Sequence, residues 1–218
     1  MAALTLCGCV VVPQSSLPAE NTGLHGLRIE LQFENTRGDP VDGSSLPARP
    51  VPAFHLKPGS LFGISLFASI DLQRFGGRRD DLVVELDDWF AVAAQRALPA
   101  SDGRVSGGVR IVPAETRFAQ VLPLVYAQAP GKPVPALLGT HSYLMDAGAQ
   151  VANLIYFDRA CRLEGTFRPN SGRRTVTVDI KIDGPGFHLL SYVAGLGDEK
   201  YWLVLSPHAE MINLMTTL

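Results

Sequence analysis

Charge is scarce in this chain, and neither sign dominates. Only 18% of its 218 residues are Asp, Glu, Lys or Arg, and the formal net charge is −2. Nucleic acid is held through many uncompensated Lys and Arg side chains, so this balance gives no reason to expect it as a partner. Long apolar runs are missing as well. None reaches the roughly 18 residues that a bilayer-spanning helix needs. Histidine and cysteine are sparse, at five and three. His25, His55, His141, His188 and His208 lie far apart. There is no H-x-H, no H-E-x-x-H and no pair of Cys at the C-x-x-C spacing of zinc sites, so nothing in the spacing predicts a metal or a cofactor. The serine-hydrolase elbow G-x-S-x-G is also absent. Gly63-Ile64-Ser65-Leu66-Phe67 comes nearest and fails at its last position.

What the chain does hold is alternation and punctuation. Gly (21) and Pro (16) make up about a sixth of it, a composition suited to many short strands and turns. The clearest signal spans 151–206. From Thr175 to Asp183, Val176, Val178, Ile180 and Ile182 alternate with Thr175, Thr177, Asp179 and Lys181. Period two puts the two sets on opposite faces, which predicts a half-buried strand. Asp183-Gly184-Pro185-Gly186 then predicts a turn, because Gly tolerates positive φ and Pro fixes it. Phe187–Val193 reads as a return strand. Lys200–Ser206, apolar on both faces, reads as a strand inside the sheet. Val151–Asp158 and Arg162–Arg168 add two more upstream. Five strands joined by short turns predict an antiparallel meander or Greek key.

The remainder is read in the same way. Leu27–Phe33 is the first strand. Asn35–Gly59, with Pro40, Pro47, Pro50, Pro52 and Pro58, is expected to be a long loop, since Pro cannot donate to a ladder. Arg37-Gly38-Asp39 within it reads as a turn. Ser60–Asp71 and Leu82–Leu86 are strands. Asp87–Ala97 is the one helix of the middle region, with Asp87 or Asp88 as its cap. Gly103–Val112 and Phe118–Ala127 are strands split by Pro113, and Pro123 demotes the second to an edge or a bulge. The tail Pro207–Leu218, with Met211, Ile212, Leu214 and Met215 spaced three and four apart, suggests a short terminal helix, with a frayed end as the alternative. The fold expected is mostly β, an antiparallel β-sandwich with one or two short helices. It is either one domain over 24–218 or two small β units, 24–105 and 106–218. A short echo, Arg49-Pro50-Val51-Pro52-Ala53 against Lys132-Pro133-Val134-Pro135-Ala136, hints at the second.

Two resemblances bear on address and fold. Leu6-Cys7-Gly8-Cys9 resembles the bacterial lipobox, whose Cys is acylated and becomes the mature N-terminus. The resemblance implies that Cys9 carries the lipid and that Val10–Thr22 tethers the domain. With no Asp at position 10, it implies the periplasmic face of the outer membrane. Met1–Thr5 is too short for the basic and apolar parts of a signal peptide. Either a longer leader precedes Met1 or the motif is fortuitous. Gly131-Lys132-Pro133-Val134-Pro135-Ala136 is similar to a hairpin of transthyretin-like and carboxypeptidase-regulatory-like β-sandwiches. That likeness implies a sandwich and nothing about chemistry.

Candidate chemistry is thin. His141, Ser142 and Asp146 form the best local acid–base–nucleophile trio, in a stretch that reads as loop. Asp80-Asp81, Asp87-Asp88 and Asp198-Glu199 are adjacent carboxylates, which on a strand would point apart. Cys161 stands alone and reads as a small buried hydrophobe, with a Cys9–Cys161 disulfide as the alternative. Phe187, Tyr192, Tyr201 and Trp202 read as core. Arg78-Arg79 and Arg173-Arg174 sit at turns, where two basic loops would suit an anionic partner. The expectation is a non-catalytic envelope lipoprotein whose β domain binds a protein or a glycan. A periplasmic hydrolase of envelope polymers, or a subunit of an assembly machine, is the alternative.

Overall fold

The computed structural model describes residues 20–46, 49–59, 73–74, 82–100, 103–106, 108–128, 136–138, 141–146, 151–168, 175–194, 200–206 and 211–218. The protein is mostly β. In chain order the strands begin with β1 (Gly26–Glu34), β2 (Pro40–Val41), β3 (Arg49–Pro58), β4 (Gln73–Arg74) and β5 (Leu82–Glu85). Helix α1 (Asp87–Arg96) follows, then β6 (Leu98–Pro99), β7 (Arg104–Ser106), β8 (Gly108–Val112), β9 (Arg117–Gln128), β10 (Ala136–Leu137) and β11 (His141–Asp146). The five strands expected in the last third all form: β12 (Val151–Phe157), β13 (Cys161–Phe167), β14 (Thr175–Ile182), β15 (Gly186–Ala194) and β16 (Lys200–Leu205). The chain closes on β17 (Met211–Thr217). The expected strands Ser60–Asp71 and the hairpin motif 131–135 lie outside the described residues.

The pairing is mixed, which corrects the wholly antiparallel expectation. β1 runs parallel to β17, and β14 runs parallel to β16. β16 enters between β14 and β15, so β15 does not return along β14. The reason lies in the side chains. β14 has one apolar and one polar face. β15 is apolar on both: Phe187 and Leu189 point one way, Leu190 the other, and all are buried. Only a position between two cores satisfies β15, and it finds this beside β12. The 183–186 turn diverts it there. Thr22 N–H donates to the Pro185 carbonyl (2.8 Å) and Leu24 N–H to that of Phe187 (2.7 Å). A Cβ on Gly184 would run into Thr22 Oγ1, so the turn and the incoming segment fit only because position 184 is bare.

β12 is the wall between the two cores. Leu154 and Tyr156 face a first core with Leu27, Ile29, Phe54, Val84, Trp89, Val121, Leu144, Phe187, Ile212 and Leu214. Ile155 and Phe157 face a second, with Val109, Ile111, Phe118, Leu163, Val176, Val178, Ile180, Leu190 and Leu203. The first core thus draws on both ends of the described chain. One flank of β12 pairs with β15 throughout. The other forks. Ala152 is opposite Leu144 of β11, whereas Leu154–Phe157 are opposite Val121–Phe118 of β9.

Prolines explain the fork and correct two expectations. Arg49–Pro58 is not loop but a ten-residue strand along β9. Gly59 N–H donates to the Phe118 carbonyl (3.0 Å), which fixes the hydrogen-bonded phase on odd residues of β3. Pro50, Pro52 and Pro58 are all even, so none costs a bond to β9. On β9, Pro123 is opposite Phe54 and turns its donor-less nitrogen toward the β12 flank. The β9–β12 ladder stops at Val121, and β10 takes over near Tyr126. β9 is therefore an interior strand, not an edge.

Three further corrections follow from packing. Met211–Thr217 is strand, because it fills the gap between β1 and β11. Its apolar spacing suits both periods, and only the neighbours decide. His141–Asp146 is strand for the same reason. α1 forms as expected and buries Trp89, Ala93 and Ala94, with Trp89 edge-on to Phe54 at 6.2 Å. Its N-cap is Leu86, with no side-chain cap. Asp87 and Asp88 sit instead in the first turn, where carboxylates suit the helix dipole.

Tyr156 tests the shared wall. Its ring packs edge-on against Phe90 (5.6 Å) and Phe187 (5.4 Å), and its buried hydroxyl has no hydrogen-bond partner. Burial, aided by Asp158, pushes the phenol's pKa well up. Tyr156→Phe removes an unsatisfied group and should raise unfolding free energy by about 1 kcal/mol. Tyr156→Ala should lower it by about 3–5 kcal/mol. Urea unfolding measures both, and a destabilised Tyr156→Phe variant would refute the orphaned hydroxyl.

Candidate functional site

The structure sorts the residues singled out from sequence. Cys9, Arg78, Arg79, Arg173 and Arg174 lie outside the described residues, as do Asp80-Asp81, Asp198-Glu199 and His208. His141, Ser142 and Asp146 share β11. Residues 142 and 146 are then about 13 Å apart along the backbone, and residues 141 and 142 belong to opposite faces. The trio does not converge. Ser142 Oγ meets the Thr216 hydroxyl instead, at 3.1 Å.

Asp87 gathers the N-terminal segment onto α1. Asn21 Nδ2 donates to it (2.6 Å), and His25 Nδ1 lies 3.0 Å away. These contacts, Asn21 first, hold its carboxyl below the ordinary range. Cys161 is a free, buried thiol whose pKa is pushed up to about 12, by burial and then by Asp158. It packs in the second core as expected, far from a nucleophile's environment. Phe187 is core, and Tyr192 and Tyr201 pack against core. Trp202 is the exception, 47% exposed. Among the described residues no group of three His, Cys, Asp or Glu could hold a metal ion. No helix among them is long and apolar enough to cross a membrane.

A polar row that sequence reading missed crosses the sheet at the margin of the second core. Lys57 of β3 is directly opposite Gln120 of β9, whose other neighbour is Ile155 of β12. His55 follows on the same face, opposite Leu122. Gln120 is only 7% exposed. Its Nε2 donates to Asn153 Oδ1 (2.9 Å), and Asn153 in turn hydrogen-bonds the Tyr192 phenol. The chain Tyr192–Asn153–Gln120 ends on Gln120 Oε1, a buried acceptor with no donor. His55 Nε2 is likewise buried without a partner. Burial lowers the pKa of both Lys57 and His55. Tyr192 is pushed up to about 12 by burial, which its bond to Asn153 partly offsets. The available signal was the lone Gln in the otherwise apolar Phe118–Leu122, a polar residue at an inward position. His55 and Lys57 were hidden by the reading of their prolines as loop.

His188 lies one strand further, opposite Ile155. Burial lowers its pKa, against smaller opposing effects of the Gly184 carbonyl (3.3 Å) and Asp183. No family model, curated protein or solved structure matches the chain. Function has to be read from these side chains.

Both depressed imidazoles set a pH dependence. Above about pH 6.5, the ordinary His value, folded and unfolded chains both hold them neutral. Below it the unfolded chain takes up protons first, so stability falls as pH falls toward the folded-state values. Asp42, Asp87 and Asp183, whose pKa values are lowered, add losses only below about pH 4. Urea midpoints should therefore decline between about pH 7 and 5, and His188→Gln should flatten that decline. An equally steep profile in the variant would rule out His188 as a source.

Proposed function

We propose that the protein is a bacterial envelope lipoprotein, anchored through Cys9 on the periplasmic face of the outer membrane. Its β domain binds a glycan or a protein partner and carries out no chemistry of its own. The observation that carries this is Leu6-Cys7-Gly8-Cys9, followed by a Pro- and Ser-containing stretch. That stretch leads to a fixed point. Residues 21–25 are held to the 183–187 turn and to Asp87 of α1, so a tether would pull on the folded body and not on a frayed end. With His141, Ser142 and Asp146 spread along one strand, the hydrolase reading loses its best residues.

Labelled palmitate supplied to cells expressing the full-length gene, upstream codons included, should enter the wild-type protein. Cys9→Ser should take up none and should leave the membrane fraction. A wild-type product that stays unlabelled would end the reading.

A further inference from the structure

We propose that Trp202 and the bare sheet face beside it bind a neutral glycan, a chain of β-linked hexopyranoses whose rings offer a flat C–H face. This deepens the glycan side of the proposed function and rests on it for biological context. Register builds the site. Trp202 of β16 is opposite Thr177 of β14, Thr177 is opposite Thr166 of β13, and Thr166 is opposite Gly108 of β8. At roughly 4.8 Å per strand, this row crosses about 14 Å of sheet, more than one sugar ring. The face is covered only at its other end. Ser191 of β15, in phase with Leu189 of the first core, is fully buried. Val193, the other neighbour of Trp202, is half-buried. There the cover ends: Trp202 is 47% exposed, and Thr166 and Gly108 are exposed.

A single exposed apolar side chain is ordinary; the neighbours of Trp202 decide what it suits. The Thr166 and Thr177 hydroxyls make no hydrogen bond among the described residues. Further along the same strands come charges, and they cancel. Arg110 pairs with Glu164 (2.9 Å), Arg162 with Asp179 (2.9 Å) and Lys181 with Asp183 (2.6 Å). A polyanion would meet the carboxylates of Glu164 and Asp179. An apolar protein surface would bury two ion pairs, at the cost of desolvating them. A neutral sugar meets neither obstacle. Its hydroxyls donate to carboxylates and accept from guanidinium and threonine groups, so they replace water without breaking a pair. Its ring face covers the flat, amphipathic indole and takes apolar area on both partners out of water. Equatorial β-linkage keeps successive rings in one extended ribbon, which can lie along the row, whereas an α-linked chain coils away from it.

The test is an NMR titration of the full chain made with isotope-labelled tryptophan, followed through the indole N–H signals of Trp89 and Trp202, the only two in the sequence. Trp89 is core, and the Trp202 signal is the one missing from Trp202→Ala. Cellohexaose or chitohexaose should shift Trp202 saturably and leave Trp89 in place. By calorimetry, Trp202→Ala should weaken binding at least tenfold. Thr177→Val, which keeps the shape and removes the hydroxyl, should weaken it severalfold and serves if the first variant fails to fold. Unmoved wild-type signals with both sugars would overturn the proposal. So would equal binding of maltohexaose, which coils, or of a β-linked glucuronate hexamer, which is charged. A Trp202 shift that follows protein concentration with no sugar present would give this face to a second copy of the chain and overturn the glycan. The measurement needs no lipid. Binding without palmitate incorporation refutes the address alone, and palmitate incorporation without binding refutes the site alone.

Discussion

The structure depends on one strand being apolar on both faces. Val151–Phe157 cannot lie on a surface: Leu154 and Tyr156 leave one side, Ile155 and Phe157 the other, and all four are buried. At roughly 1.5–3 kcal/mol for each large side chain buried, turning either face to water would forfeit a large share of the roughly 5–15 kcal/mol that keeps a domain folded. The sheet therefore has to supply a core on each side. β15 shares this demand and is drawn alongside. β14 does not, because Asp179 and Lys181 need solvent, and it ends up on the far side of β16.

The second constraint is the loss of a hydrogen bond at each proline. Pro50, Pro52 and Pro58 keep one phase of β3 and leave its ladder to β9 whole. Pro123 faces the opposite flank of β9 and limits the contact with β12 to four residue pairs. β11 then reaches the start of β12, and through it β17 and β1 join the first core. The same divergence brings Lys57, His55 and Gln120 to the margin of the second core. There the sheet is covered enough to desolvate them, yet Asn153 and Tyr192 are still present to hold Gln120.

Legibility followed the range of the interactions. Thr175–Asp183 could be read because alternation is a property of neighbours in the chain, and so could the Ala-rich helix behind Asp87. Met211–Thr217 could not, since its apolar spacing serves a helix or a strand until β1 and β11 are seen to flank it. His141–Asp146 misled in the same way: three chemically suggestive residues close in sequence become distant once extended. The polar row was illegible because its members come from positions 55, 57, 120, 153 and 192. Only register places them side by side, and register is not local.

By itself, the sequence determined that the protein is mostly β, that five strands fill its last third, that one helix follows Asp87, and that Cys161 is core. Each rests on side-chain period, turn chemistry or burial preference within a few residues. Tertiary structure alone decided which strands pair and in which direction, on which side each proline turns its missing donor, and that β12 divides two cores. Those outcomes depend on how much apolar area each strand must hide and on which distant segment arrives to hide it, and no local pattern carries that information.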